Sequence, residues 1–165
     1  MRRTKKVAYH LFILFITVLA ISTNLFAWQG KVVGACDGDT ITVLHDGKGE
    51  KLRLYGVDCP ESHQDFGQKT KKFTSSMAYG KIADVEPVTT DRYGRTVALV
   101  KVEGKSLNEE LLKAGLAWVY TKYCNKPFCS QWKKLEDQAR QNKTGLWTMP
   151  NPIPPWEFRR GNRKK

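Results

Sequence analysis

Alternating apolar and polar positions mark five short strands in this 165-residue chain. Lys31 to Cys36 is mostly apolar around Gly34, and Thr40 to Leu44 is β-branched and alternating; Asp37-Gly38-Asp39 forms the turn between them. After the Asp46-Gly47 turn, Lys51 to Val57 repeats the two-residue period. Side chains alternate faces along a strand, so Leu52 and Leu54 take one side while Arg53, Tyr55 and Val57 take the other. Pro60 cannot continue a ladder, which leaves Asp58 at a strand end and Glu61 just past a rigid turn. Ile82 to Val88 and Arg95 to Val102 supply the fourth and fifth strands, separated by Asp91-Arg92-Tyr93-Gly94.

Between the third and fourth strands the period changes. Asp65, with Gln68 three residues on, predicts a helix start; Phe66, Phe73 and Met77 recur at helical spacing until Gly80. That stripe is most simply core packing. A second helix starts at Ser106 with Glu109 as its capping partner, carries Leu107, Leu111 and Leu112, and stops at Gly115. A third starts near Ser130, places Trp132, Leu135 and Ala139 on one face, and ends before Gly145. From Thr148 four prolines, Pro150, Pro152, Pro154 and Pro155, lead into Trp156 and a basic end. This reads as an extended arm, either disordered or adding phosphate contacts. The pattern as a whole predicts a five-stranded OB-fold barrel with three packed α-helices, an α+β fold, over residues 28–147, with residues 148–165 as the arm.

Composition alters the picture at the N-terminus. Residues 1–27 open with Arg2, Arg3, Lys5 and Lys6, run through the apolar stretch Leu11 to Ile21, and contain no acid. That is the layout of a signal peptide, cleaved after Ala27 or after Ser22. The competing reading is an uncleaved membrane anchor over residues 7–27, close to the roughly 20 residues a bilayer requires. His10, Thr17, Ser22 and Asn24 interrupt that run and favour export to a secreted or periplasmic location. Removal of the segment lowers the net charge from +12 to +8, still basic enough to attract polyanions, nucleic acid first. Export places the four cysteines in an oxidising compartment. Cys124 and Cys129 bracket the turn-like Asn-Lys-Pro-Phe and are expected to close a local disulfide, leaving Cys36 and Cys59 as the other pair. A zinc site is the rival reading, against which stand the spacing and the lack of a nearby histidine.

Three separated motifs carry a resemblance. Asp37-Gly38-Asp39-Thr40, then Arg53 through Asp58-Cys59-Pro60-Glu61, then Asp91-Arg92-Tyr93-Gly94-Arg95, look like those of staphylococcal nuclease and its bacterial relatives. The resemblance runs from about Gly30 to Trp147 and takes in Asn108 and Gly115-Leu116-Ala117. It implies a calcium ion held by Asp39, Asp58 and the backbone carbonyl of Cys59, with Asp37, Thr40 and Glu61 near it. It also implies that Arg53 and Arg95 grip the scissile phosphate, that Glu61 serves as general base, and that Tyr93 lines the nucleotide pocket. The expected activity is calcium-dependent hydrolysis of DNA and RNA, single strands favoured, leaving 3′-phosphates, by a monomer without a stable protein partner.

The chemistry of these residue types agrees. Calcium takes six to eight oxygen ligands in flexible geometry, arginine's planar fork meets two phosphate oxygens at once, and a carboxylate can accept a proton from water. Cys59 departs from the family's usual threonine, although only its carbonyl is needed. The stretch between Glu61 and the first helix is also shorter than in the type protein, and His45 and His63 match no family role and read as surface residues. The alternative from another class is a barrel that binds nucleic acid without cutting it. Such a module would be expected to lack one or more of Asp39, Arg53, Asp58, Glu61 and Arg95, and all five are present. A membrane-tethered adaptor is a third reading.

Overall fold

The computed structural model describes residues 27–162. The expected export segment lies outside them, apart from Ala27. Among the described residues no helix is long and apolar enough to cross a membrane.

Strands β1 (Trp28–Ala35), β2 (Thr40–His45) and β3 (Lys48–Leu54) form an antiparallel meander. Farther along the chain, β5 (Ile82–Thr90) pairs with β1, and β6 (Thr96–Val102) pairs with β5. The ring closes where β3 runs parallel to β6, with Arg53 opposite Val97. The expected five-stranded barrel is therefore present. The period-two pattern explains its core: Val32, Ile41, Val43, Leu52, Leu54, Val85, Ala98 and Val100 are all buried.

The third strand is shorter than expected. It stops at Leu54; Gly56 turns the chain with φ +66°, and β4 (Val57–Asp58) pairs separately with β8 (Trp118–Val119). A Cβ at Gly56 would also lie 2.7 Å from Cys124 Sγ, so both its conformation and its space require glycine. The turn breaks the alternation, and Tyr55 and Val57, expected on Arg53's side, are buried. The Tyr55 hydroxyl donates to Asn125 Oδ1 at 2.9 Å.

Helix α1 (Gly67–Ala78) begins one residue later than the Asp65 signal suggested. Phe66 precedes it in a left-handed conformation with no side-chain cap, and Gln68 donates instead to the Ser62 carbonyl at 2.7 Å. Gly67 packs so closely on the preceding loop that a Cβ there would sit 1.9 Å from the Glu61 carbonyl oxygen. After the short β7 (Lys105–Ser106), α2 (Leu107–Lys113) starts as expected, with the Ser106 side chain accepting from Glu109 N–H. Asn108, fully buried, donates to the Tyr55 carbonyl at 2.9 Å and accepts from Val100 N–H at 3.3 Å, which ties α2 to the barrel. Helix α3 (Cys129–Gln141) completes the predicted set of three, and an unpredicted 3₁₀ turn (Gly145–Thr148) follows it.

Two expectations fail here. The Cys124–Cys129 disulfide is formed, but Cys36 and Cys59 are free. Cys59 is packed beneath Gly38, where a glycine Cβ would come within 2.7 Å of its Cβ, while Cys36 is exposed just beyond β1. The proline-rich segment is not an extended arm throughout, because Pro155–Asn162 forms a fourth helix, α4. Proline is well tolerated in a first helical turn, where its missing N–H would have no partner.

Candidate active site

Asp39 stands on the turn between β1 and β2. Asp37 Oδ1 accepts its backbone N–H at 3.1 Å, and Thr74 Oγ on α1 donates to the Gly38 carbonyl at 2.5 Å, which fixes that turn. Across the β2–β3 ladder Thr40 lies opposite Arg53, so Asp39 and Arg53 meet at one end of the barrel. Arg53 then bridges two acids: Nη1 lies 2.9 Å from Asp39 Oδ2 and Nη2 lies 2.8 Å from Asp58 Oδ1. The Cys59 peptide N–H donates to Asp39 Oδ2 at 2.6 Å, locking the β4 turn onto the β1–β2 turn. Thr40 Oγ1 lies 3.5 Å from Asp39 Oδ1.

Glu61 follows on the loop that Gly67 closes, with its backbone N–H donating to Gln64 Oε1 at 3.2 Å. A residue far away in the chain joins it. Arg159, on α4, donates to Glu61 Oε1 at 2.6 Å, Asp58 Oδ2 at 2.7 Å and Asp58 Oδ1 at 3.2 Å. Asp39, Asp58 and Glu61 are therefore gathered around two guanidinium groups, with Asp58 fully buried and 28% of the Glu61 side chain exposed.

The electrostatics reflect this crowding. Burial pushes the Asp39 carboxyl up to about 8, more than Arg53 pulls it down. Burial raises Asp58 as well, opposed by the hydrogen bond from Arg159 and the charge of Arg53. For Arg53 burial works against the charge, but Asp39 and Asp58 outweigh it and hold the group above its ordinary value. Arg159 likewise stays above its ordinary value despite partial burial, because Asp58 and Glu61 accept its hydrogen bonds. When Asp39 ionises as well, the three acids outnumber the two guanidiniums by one charge.

Arg95 directly precedes β6, whose Val97 lies opposite Arg53, so it enters the barrel beside the β3 strand that carries Arg53. Asp91 holds it: Oδ2 accepts Arg95 Nε at 2.7 Å while Oδ1 accepts the backbone N–H of Tyr93 and of Arg95. Partial burial is outweighed by these hydrogen bonds, which keep the Asp91 carboxyl below its ordinary range. No hydrogen bond or ion pair among the described residues joins Arg95 to the acid cluster. Tyr93, 66% exposed on the same turn, lies beneath the Arg92 and Arg95 guanidiniums at 4.7 and 5.6 Å. His45 is half-buried rather than on the surface, stacked on Trp28 at 3.9 Å, and His63 lies 5.2 Å from Phe158 of α4.

Among the described residues no group of three or more histidines, cysteines or acids is arranged to hold a metal ion. The donor chemistry nevertheless suits a hard cation, since the buried donors are carboxylate oxygens and the charge they carry calls for compensation. Two site residues escaped the sequence reading. Asp91 stood inside a quoted motif without a role, and its four-residue spacing from Arg95 was the available signal. Nothing in the basic tail distinguished Arg159 from its neighbours.

The fold and site define a nuclease-type OB barrel, and the family profile described as "Staphylococcal nuclease homologue" matches residues 51–149. The chain belongs to that family. An "uncharacterized endonuclease" of Haemophilus influenzae is 39% identical over 154 residues, covering 90% of this chain and 85% of its own length. A similarly described protein of Escherichia coli is 37% identical over 143 residues, covering 82% of this chain and 92% of its own. A "micrococcal nuclease" of Shigella flexneri is 33% identical over 156 residues, with 88% and 89% covered.

Proposed function

We propose that this protein is an exported, calcium-dependent endonuclease that hydrolyses phosphodiester bonds of DNA and RNA, single strands favoured, acting as a monomer and leaving 3′-phosphates. The observation that carries the reading is the convergence of Asp39, Arg53, Asp58 and Glu61 at one barrel end, joined there by the strand that follows Arg95. Asp39, Asp58 and the Cys59 carbonyl would hold the calcium ion, with Asp37, Thr40 and Glu61 near it. When bound, that ion supplies Lewis-acid stabilisation of the charge that develops on the phosphate. Arg53 and Arg95 add fixed positive charge on the same phosphate oxygens, where charge grows most in the transition state. Asp91 accepts the Nε hydrogen of Arg95 and leaves its two terminal nitrogens for a phosphate. Glu61, the most exposed of the three clustered carboxylates, takes the proton of the attacking water. Tyr93 offers an exposed ring to a nucleotide beside Arg95.

Cleavage of single-stranded DNA and of RNA by the purified protein, with calcium and then with a chelator, tests the proposal. Loss of both cleavages on chelation is the expected result. Tight binding without cleavage would replace the nuclease with a binding module. Within the same assay, Arg95→Ala should remove most of the activity with the fold retained. Asp91→Asn should lower kcat/KM by about tenfold, since Arg95 keeps its charge but loses its fixed orientation. Equal kcat/KM for Asp91→Asn and the native protein would remove Asp91 from the machinery.

A further inference from the structure

The acid cluster and α4 come from distant parts of the chain and are built against each other. Both Asp58 oxygens accept hydrogen bonds from guanidiniums: Oδ1 is shared by Arg53 and Arg159, and Oδ2 is taken by Arg159. Glu61 Oε1 accepts from Arg159 as well. Arg159 therefore occupies lone pairs that a cation held by Asp58 would use, and it ties up the carboxylate assigned to the attacking water. Charge points the same way, since Arg159 brings beside Asp58 and Glu61 the positive charge that a cation would otherwise supply.

The helix has its own seat. Trp156 stacks on Tyr120, with ring centroids 5.2 Å apart and planes 10° apart, and meets Trp118 edge-on at 6.5 Å. Trp118 is the residue paired with Asp58 across β4 and β8, so the seat adjoins the acid. Gln64, on the Glu61 loop, donates to the Ile153 carbonyl at 2.6 Å just ahead of the helix. An eight-residue helix is not stable alone in water, so α4 keeps its shape through this docking.

We propose that α4 is an autoinhibitory latch: Arg159 closes the acid pocket from its Trp156 seat, and a divalent cation opens the pocket by displacing it. The inference rests on the reading that these acids hold calcium. Calcium affinity, measured by titration calorimetry on the protein and on Arg159→Gln and Trp156→Ala variants, tests it without recourse to activity. A latch closed for nine-tenths of the time lowers apparent affinity about tenfold. Arg159→Gln is expected to bind calcium about tenfold more tightly than the native protein, and Trp156→Ala, which leaves every charge in place, should move the same way. In the native protein, calcium should also open trypsin cleavage after Arg160, which Arg159→Gln should allow without calcium.

Equal or weaker calcium affinity in Arg159→Gln would overturn the latch and leave the calcium reading standing. A gain from Arg159→Gln with none from Trp156→Ala would also overturn it, reducing Arg159 to a local charge. No calcium binding by any of the three proteins would defeat the calcium reading, and the latch with it.

Discussion

Glu61→Gln is expected to lower kcat by about 100- to 10,000-fold while leaving the thermal midpoint nearly unchanged. The substitution keeps the size and polarity of the side chain but removes its ability to accept a proton. Its position makes the separation of effects clean, because the side chain is partly exposed and only Arg159 among the described residues pairs with its carboxylate. Asp39 and Asp58 cannot substitute for it, since both are buried and already bonded to Arg53. Single-turnover cleavage at saturating calcium, with circular dichroism to verify the fold, is the measurement. Turnover close to native would show that Glu61 is not the base, whatever its contacts.

Arg53→Met is expected to damage stability and activity together. Its guanidinium, 15% exposed, is the only group among the described residues bonded to both Asp39 and Asp58. Removing one partner of a buried ion pair costs about 3–5 kcal/mol when the acid it leaves stays charged. The sign with pH follows from burial, which already places Asp39 at about 8 with Arg53 present. A protonated acid needs no counter-charge, so the deficit through Asp39 is small below that value. It grows as pH rises through about 8, where the native carboxyl ionises against Arg53 and the variant's cannot. Urea unfolding across this range gives the comparison, and a deficit that fell with rising pH would contradict the buried pair.

The barrel was legible because its strands carry a two-residue period that Ile41, Val43, Leu52, Leu54, Ala98 and Val100 express directly in their burial. The Ser106 cap was legible for a similar reason: the Ser-to-Glu spacing acts locally, and the bond to the Glu109 N–H forms. Asp39, Arg53 and Asp58 could be placed together because they flank turns of one meander. What failed depended on packing between distant parts of the chain. The break at Gly56 answers to Cys124 and Trp132, whose nearness no local pattern reveals. The Cys36–Cys59 pairing was an inference by remainder, and the burial of Cys59 beneath Gly38 defeats it. Helix α4 was hidden by its prolines, which announce an extended chain unless Trp156 has a surface to settle on. Arg159 reaches Asp58 across 101 sequence positions, beyond any spacing rule.

The parallel contact between β3 and β6 has a consequence for how the protein matures. It joins residues near 53 to residues near 97 across an intervening helix and strand, a separation that makes such pairings late and slow to form. Arg53 and the strand that follows Arg95 are joined only once that seam has closed. On the proposed reading, a nascent chain or a proteolytic fragment that lacks the seam carries Arg53 and Arg95 without their arrangement, and activity is expected only once this long-range pairing has formed.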